Sequence, residues 1–316
     1  MTYPTYLKRS FIDLQEGAGQ SERVCCKDFL KINMQTIQLK EENRTATLQK
    51  EGYVIMPVLS KVQIEKLRRI FYAYHQQDLE GFYATTHLED TAIKKELSDQ
   101  ITAVVKPLAQ QYFKNMTLLG GAFIAKYPGP KGVLPLHQDW NIVDEQKARS
   151  YNMWIPLLDV TQDNGAIKIL PKSHTKQHNF RGPGIPSLFR EIPEIVDKQM
   201  TTLEMKAGEA LLYDHALWHF SPANHSDTVR LCVVLGVIPK DIDLKYYCSK
   251  DDKVAEYDCY PNFFFDHKAE TGADHLSFNR YVAQNNAPMT ADDFYKIYTE
   301  APIQKKRKRW FHFFSK

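Results

Sequence analysis

The sequence predicts a mainly β domain, of barrel or sandwich type, with flanking helices. From about Leu118 onward, short apolar runs are separated by Gly, Pro, Asn and Asp, which is typical of many short strands and not of alternating strands and helices. Two amphipathic helical patterns precede this region. The chain of 316 residues is long enough for one large β-rich domain.

The helical patterns lie between residues 51 and 115, after a polar and weakly periodic segment. Residues 1–50 are therefore assigned to an N-terminal arm or peripheral layer. The first helix is expected to begin at a capping box, Ser60-Lys61-Val62-Gln63, after a short strand. The second carries apolar residues about four positions apart, and Pro107 is expected to kink it. The apolar positions are Ile64, Leu67, Ile70, Phe71 and Tyr74 in the first helix, and Ile93, Leu97, Ile101, Val105 and Leu108 in the second.

The β-rich core is expected at about residues 116–240, with a C-terminal extension at 241–300, so that residues 51–300 form a single domain. Predicted core strands span residues 121–127, 150–158, 166–170, 209–213 and 229–238. An insertion at about 172–200 is of a length typical of a lid.

Composition excludes several classes of protein. Apolar residues make up 43% and charged residues 25%, which indicates a globular protein and not a disordered one. The net charge of +3 comes largely from the run at 305–309, so no nucleic-acid partner is expected. Five cysteines without a CxxC motif favour a reducing compartment. No signal peptide or membrane span is recognisable, and a cytoplasmic location is expected.

The last residues, 301–316, form a basic and aromatic tail. Its run Lys305-Lys306-Arg307-Lys308-Arg309 is followed by Trp310, Phe311, Phe313 and Phe314. Basic charge next to aromatic side chains fits contact with an anionic membrane surface or an acidic partner through residues 305–316. The alternative is a solvated tail.

A candidate metal site begins at His137-Gln138-Asp139. On an extended strand, residues two apart project from the same face, so His137 and Asp139 can converge on one ion. A distant histidine would complete the two-histidine, one-carboxylate set that binds Fe(II) and leaves coordination positions open. His215 and His219 compete for this place.

Arg230 favours His219 over His215. It lies eleven positions past His219 in a strand, 229–238, that carries no other charge. A buried guanidinium needs a carboxylate partner, and the distal carboxylate of 2-oxoglutarate would supply one. The alternative is a salt bridge to a protein carboxylate.

These residues stand in segments that together resemble the phytanoyl-CoA dioxygenase family over about residues 120–239. The segments are Ala125 to Gly129, Pro135 to Asp139, Asn164 to His174, Gly208 to Ala210, His219 to Ser221, and Arg230. The resemblance implies a double-stranded β-helix, the jelly-roll, cupin-like barrel. It also implies His137, Asp139 and His219 as metal ligands and catalytic residues, with Arg230, Ser221, Lys126 and Trp154 binding the co-substrate.

The activity implied by the resemblance is that of an Fe(II)- and 2-oxoglutarate-dependent dioxygenase. It would use O2 to hydroxylate an unactivated C–H bond of a small-molecule, natural-product or acyl-type substrate, free or carrier-tethered, with release of succinate and CO2. Two alternatives stay open: a cupin-like metalloenzyme that does not use 2-oxoglutarate, and a jelly-roll binding module without catalysis.

Overall fold

Two antiparallel sheets form the centre of the protein, which is described here by a computed structural model covering residues 34–75, 79–176, 178–192, 196–268, 272–283 and 287–298. From edge to edge, the larger sheet contains β2 (Tyr53–Pro57), β10 (Glu209–Asp214), β7 (Tyr151–Pro156), β12 (Arg230–Ile238), β5 (Thr117–Lys126) and β3 (Phe82–Ala84). The smaller sheet contains β6 (Leu134–His137), β11 (His219–Ser221), β8 (Lys168–Ile169) and β9 (Thr201–Thr202). A short pair, β1 (Gln38–Leu39) and β4 (Phe113–Asn115), lies outside them.

The two sheets face each other across a shared apolar layer. Trp154, Leu211 and Cys232 of the larger sheet belong to the same buried cluster as Ile169 of the smaller one. The predicted mainly β, jelly-roll architecture is thus confirmed, and each predicted core strand is present. The prediction of a closed barrel is corrected, because no described strand pair joins the two sheets. Strands of two to four residues make the smaller sheet too short to wrap around and close.

Three helices flank the larger sheet. They are α1 (Glu42–Glu51), α2 (Lys61–Tyr74) and α3 (Thr91–Ala109), and their apolar faces share one buried core with the sheet. The capping box of α2 is confirmed: the Ser60 backbone N–H donates to the Gln63 side chain over 2.8 Å. Asp90 is the N-cap of helix α3, and its carboxylate accepts hydrogen bonds from two backbone N–H groups. Pro107 lies inside this helix.

The flanking layer begins before residue 51. Within the segment 1–50 that was assigned to an arm or peripheral layer, residues 38–39 form β1 and residues 42–50 belong to α1, whose Leu48 is buried. Gly52 ends α1 in a left-handed conformation, and a Cβ there would lie 2.5 Å from the His174 ring. A glycine is needed here for both reasons.

The C-terminal extension forms a third sheet, made of β13 (Leu244–Lys250), β14 (Lys253–Cys259) and β15 (Phe278–Val282), together with α4 (Phe263–Asp266) and α5 (Ala291–Tyr298). The insertion at 172–200 buries apolar residues such as Phe189 and Val196 in one cluster with Trp218 and Phe294. It is therefore part of a packed layer and not the expected lid. The basic tail at 301–316 lies outside the described residues.

Among the described helices, none has both the length and the apolar character that a membrane crossing requires.

Candidate metal centre

Three side chains meet between the two sheets. His137 ends β6, His219 begins β11, and the two are directly paired across the strands. The ligand atoms of His137, Asp139 and His219 all lie within 4.8 Å of one another. Asp139 Oδ1 is 3.7 Å from Nε2 of His137 and 3.8 Å from Nε2 of His219. One ion can therefore contact all three groups after a small contraction.

The sequence prediction placed His137 and Asp139 on one regular strand, but Asp139 lies beyond the end of β6. Strand β6 ends at His137, and the backbone N–H of Asp139 donates instead to the carbonyl oxygen of His215 over 2.9 Å. The chain leaves the smaller sheet at this point because the turn that precedes β11 offers it a new acceptor. The carboxylate still converges with the two imidazoles.

Backbone carbonyls orient both imidazole rings. Nδ1 of His137 lies 2.7 Å from the Pro135 oxygen, and Nδ1 of His219 lies 2.8 Å from the Leu217 oxygen. A carbonyl only accepts, so each Nδ1 carries the proton and each Nε2 presents a lone pair toward Asp139. This is the tautomer that a metal ligand requires.

Asn152 of β7 orients the carboxylate in the same way. Its Nδ2 donates to Asp139 Oδ2 over 2.8 Å, which leaves Oδ1 facing the imidazoles. Asn152 was not assigned to the site from the sequence. The available signal was its position two residues before Trp154, on the same face of the strand.

The protonation states at neutral pH suit metal binding. Burial, followed by the neighbouring His219, lowers the pKa of His137 to about 4. Burial raises the pKa of Asp139, but the surrounding histidines and Asn152 outweigh it and bring the pKa to about 2. His137 is therefore neutral and Asp139 ionised, the forms that coordinate a metal.

His215 lies beside the triad without belonging to it. Its Nδ1 is 3.0 Å from the Ser150 hydroxyl, and its buried Nε2 has no hydrogen-bond partner among the described residues. Its carbonyl holds Asp139. The structure thus places His219 in the ligand cluster and His215 next to it.

A buried group of two arginines and two carboxylates fixes the backbone at Asp139. Arg181 donates from Nε to the Asp139 carbonyl over 2.7 Å and forms a two-point ion pair with Glu145. Arg149 forms a similar pair with Asp214 and lies 3.8 Å from Glu145. The two positive and two negative charges cancel, so this group holds the backbone at Asp139 without adding net charge near the metal centre. Nothing in the sequence pattern identified it.

Replacing Asn152 with leucine is expected to weaken metal binding by about 10- to 100-fold, as is typical when a group that orients a ligand is lost. Without the amide donor, the Asp139 carboxylate is free to rotate, and Oδ1 is no longer held facing the two imidazoles. Calorimetric titration with Mn(II) measures the effect, and Asn152→Gln, with the same amide on a longer side chain, serves as the partial-rescue control. Unchanged affinity in both variants would show that Asn152 does not orient the carboxylate.

A cavity of about 220 Å³, here named the inner cavity, opens beside the triad. Arg230, Ser221, Trp154 and Tyr213 line it together with His137, Asp139 and His219. The Trp154 ring lies 5.3 Å from the Arg230 guanidinium and contacts it through its face. Three of the four residues expected to bind a co-substrate therefore surround one space.

Arg230 is buried without a protein counter-charge. It donates from Nη1 to the Gly165 carbonyl and to the Ser221 hydroxyl, and no carboxylate pairs with it among the described residues. Its Nε has no partner among them either. Burial lowers the pKa of Arg230, as expected for a cation without an anion nearby.

Lys126 is paired directly with Arg230 across β5 and β12. Its Nζ donates to the Ser221 hydroxyl and to the carbonyls of Ser221 and Pro222, at 2.6, 3.0 and 2.5 Å. In the charged form of Lys126, which prevails below about pH 7, the three ammonium protons are directed at neutral oxygens behind the inner cavity, which Lys126 does not line. Two like charges placed opposite each other in a sheet are destabilising unless an anion joins them.

Comparisons with known proteins identify the family of this chain. The family model described as phytanoyl-CoA dioxygenase (PhyH) matches residues 46–232, more than half of the chain. A phytanoyl-CoA dioxygenase of Arabidopsis thaliana is 28% identical over 132 residues, covering 41% of this chain and 47% of that protein. The dioxygenase cdmA of Talaromyces verruculosus is 26% identical over 169 residues, covering 49% and 53%. The chain spans about half the length of the curated relatives it matches.

Solved structures show the same fold. The non-heme alpha-ketoglutarate-dependent carbocyclase SnoK from nogalamycin biosynthesis aligns with a TM-score of 0.50 at 15% identity, covering 78% of this chain and 95% of that one. The family match covers α2, α3 and the larger part of both sheets, with the residues that gather at the metal centre from β5 to β12. This chain belongs to the phytanoyl-CoA dioxygenase family.

Proposed function

We propose that this protein is an Fe(II)- and 2-oxoglutarate-dependent dioxygenase. In the proposed reaction, RH, 2-oxoglutarate and O2 give ROH, succinate and CO2. One oxygen atom enters the new carboxylate of succinate and the other enters the hydroxyl group of the product. His137, Asp139 and His219 would hold the iron, and Arg230, Ser221 and Trp154 would hold the co-substrate.

The donor set fits iron. Two imidazole nitrogens and one carboxylate oxygen on one side of an ion leave the opposite positions open, the arrangement typical of non-haem Fe(II) oxygenases. When bound, iron supplies the activation of O2. The protein's part is to hold neutral imidazoles, to direct one carboxylate oxygen inward through Asn152, and to keep the reacting groups in place.

Arg230 is the single observation that carries the use of 2-oxoglutarate. A buried guanidinium without a carboxylate partner is expensive, and here a second cation stands directly across the sheet. A dicarboxylate bound at the metal by its keto-acid end would bring its distal carboxylate to Arg230 and the Ser221 hydroxyl. Lys126, which lies behind Ser221, would add positive charge without direct contact.

The proposed substrate is a small molecule, free or tethered to a carrier, that approaches the metal position next to the co-substrate. A nucleic-acid substrate is not proposed, since the body of the chain is nearly neutral. Contact of residues 305–316 with an anionic membrane or an acidic partner, and a reducing, cytosolic location, stay predictions from the sequence.

Succinate release tests the proposed activity. Purified protein is incubated with Fe(II), 2-oxoglutarate, ascorbate and O2, and succinate is measured with each component omitted in turn. We expect succinate only when Fe(II), 2-oxoglutarate and O2 are all present. Its absence in folded protein that binds both Fe(II) and 2-oxoglutarate would contradict the proposed activity.

Binding of 2-oxoglutarate is expected to take up a proton at pH 8. Burial, followed by the nearby Arg230, lowers the pKa of Lys126 to about 7, so the free protein carries this lysine mainly neutral at pH 8. A carboxylate at Arg230 favours the charged form and raises the pKa again. Affinity for 2-oxoglutarate should therefore fall as pH rises above about 7.

Calorimetric titrations in buffers of different ionisation enthalpy measure this proton uptake. Lys126→Met should eliminate it, and Lys131→Met, which removes an exposed lysine, should leave it unchanged. The same pKa shift of Lys126 affects stability. Between pH 7 and 10.5 the unfolded chain binds the Lys126 proton and the native state does not, so the free energy of unfolding rises with pH. Equal proton uptake by wild type and Lys126→Met would refute the assignment.

A further inference from the structure

A second, larger cavity adjoins the triad and the inner cavity. This space, here named the outer chamber, has a volume of about 450 Å³, within the range of roughly 300 to 1,000 Å³ typical of small-molecule sites. It shares His137, Asp139 and Asn152 with the inner cavity. A molecule in the outer chamber would therefore reach the metal position next to His137 and Asp139, whereas Arg230 lines the inner cavity and not this chamber.

The walls of the outer chamber come from the larger sheet and the C-terminal extension. Leu119 of β5 and Gly236 of β12 line it from the larger sheet, and Pro261 and Phe264 line it from the C-terminal extension. Trp140, 38% exposed, lies at the metal end with its ring 6.4 Å from that of Phe264. The aromatic segment at 257–265 thus contributes directly to the chamber wall.

The chamber offers no free charge to a ligand. Apart from histidines, the ionisable acidic and basic side chains among its described lining residues are Asp139 and Lys245, together with the thiol of Cys259. Asp139 belongs to the metal centre, and Lys245 is paired with Asp258 at 2.5 Å. A carboxylate or phosphate placed here, away from the metal centre, would lose its hydration without gaining a counter-charge. In this respect the chamber is the opposite of the inner cavity.

One buried polar atom in the lining lacks a partner. His215 is 4% exposed and lines the chamber, and its Nδ1 is engaged by the Ser150 hydroxyl. Its Nε2 has no hydrogen-bond partner among the described residues. With Ser150 donating its proton to Nδ1, Nε2–H becomes a donor for an oxygen atom of a ligand.

We propose that the outer chamber binds an uncharged, predominantly apolar small molecule through its walls, and that His215 Nε2–H donates a hydrogen bond to one oxygen atom of that molecule. This inference rests on the proposed function, in which the molecule is the substrate to be oxidised. It deepens that function by naming the substrate class: an apolar skeleton with a carbonyl or hydroxyl group near the reacting position, with any charged carrier or thioester portion remaining outside.

Three probes with one naphthalene skeleton test the preference. They are 2-acetonaphthone, which carries a neutral carbonyl; 2-naphthoate, which carries a carboxylate; and 2-ethylnaphthalene, which carries no oxygen. Binding to the full chain is measured by equilibrium dialysis, without additions and again with Mn(II) and 2-oxoglutarate. We expect 2-acetonaphthone to bind at least tenfold more tightly than 2-naphthoate. Equal or tighter binding of 2-naphthoate, or no binding of 2-acetonaphthone, would overturn the proposal.

Gly236→Val locates the binding. Valine suits a strand, and the atom nearest to its Cβ would be in the flexible side chain of Leu119, at 3.0 Å. Because Gly236 lines the chamber, the added side chain is expected to take up space there. We expect binding of 2-acetonaphthone and 2-ethylnaphthalene to fall at least tenfold, with affinity for Mn(II) and 2-oxoglutarate within twofold of wild type. Lys114→Val, an exposed strand position outside the chamber lining, is the control. Unchanged probe binding in Gly236→Val would overturn the location.

His215→Phe tests the polar contact. The variant keeps an aromatic ring but removes the donor, so 2-acetonaphthone should bind about three- to tenfold more weakly, the contribution of one neutral hydrogen bond. Binding of 2-ethylnaphthalene should stay within twofold. An equal loss for both probes would show that His215 acts by shape alone. Because these measurements need no turnover, failure of probe binding in a protein that forms succinate contradicts only the chamber, and probe binding without succinate contradicts only the activity.

Discussion

Replacing Arg230 with methionine is expected to abolish 2-oxoglutarate-dependent turnover and, at the same time, to raise the melting temperature of the ligand-free protein. Removing one partner of a buried charge pair weakens binding by about 2–5 kcal/mol, or roughly 30-fold to several thousand-fold in Kd for 2-oxoglutarate. The ligand-free protein gains because a desolvated cation without an anion disappears. Few polar atoms lose their partners, since the Ser221 hydroxyl still donates to Gly165 and accepts from Lys126.

Calorimetry and thermal unfolding, each with and without 2-oxoglutarate, measure both effects. Arg149→Met is the matched control, because it removes a buried arginine that does pair with a carboxylate, Asp214. That variant should lower the stability by about 3–5 kcal/mol. A keto acid without the distal carboxylate should support turnover equally in wild type and Arg230→Met. If Arg230→Met destabilised the free protein as Arg149→Met does, Arg230 would have a structural role instead.

Replacing His219 with alanine is expected to weaken metal binding by more than about 100-fold, beyond the effect usual for groups that only orient a ligand. The imidazole Nε2 of His219 is one of three ligand atoms within 4.8 Å of one another, and alanine offers no substitute. His215→Phe should change metal affinity less than about tenfold, since His215 supports Asp139 through its backbone carbonyl, which the substitution keeps.

Anaerobic titration with Fe(II), or with Co(II) as a surrogate, compares the two variants with wild type. Circular dichroism and the melting temperature establish that each is folded. The opposite order, with metal binding lost in His215→Phe and kept in His219→Ala, would assign the third ligand to His215 and overturn the site as described.

The sequence was sufficient to predict the parts of the fold that depend on local pattern. Strands β5, β7, β10 and β12 follow from apolar runs bounded by turn residues, and the start of α2 follows from its capping box. The gathering of His137, Asp139 and His219 was predicted from residue types, one charged residue in an apolar strand, and a family resemblance. The order of these residues in the chain was enough to predict that they meet, because each lies at or next to a strand end at the metal centre.

The remaining features depend on long-range contacts that spacing does not show. Asp139 leaves the strand because its N–H finds the His215 carbonyl 76 positions away in the chain. Arg181 reaches Asp139 from an insertion whose pattern resembled a lid. Whether the sheets close into a barrel depends on the lengths of β8, β9 and β11, which are short, and helix and strand boundaries are the least predictable features of a sequence.

The two cavities divide the proposed chemistry between them. The inner cavity contains Arg230, with Lys126 behind it, and suits a small dianion; the outer chamber contains apolar walls and suits a neutral skeleton. The metal ligands stand where the two spaces meet. This arrangement gives the co-substrate and the substrate separate spaces that adjoin at the metal position, so both can reach the coordination positions that the three protein ligands leave open.

Visible absorption during anaerobic addition of Fe(II) and 2-oxoglutarate reports directly on the proposed metal and co-substrate site, because a charge-transfer band arises only when the keto acid chelates iron there. We expect a band when both are present, none with either alone, none in His219→Ala, and in Arg230→Met a band only at much higher 2-oxoglutarate concentration. If folded wild-type protein shows no band with both present, His137, Asp139 and His219 do not form a site that binds iron together with 2-oxoglutarate.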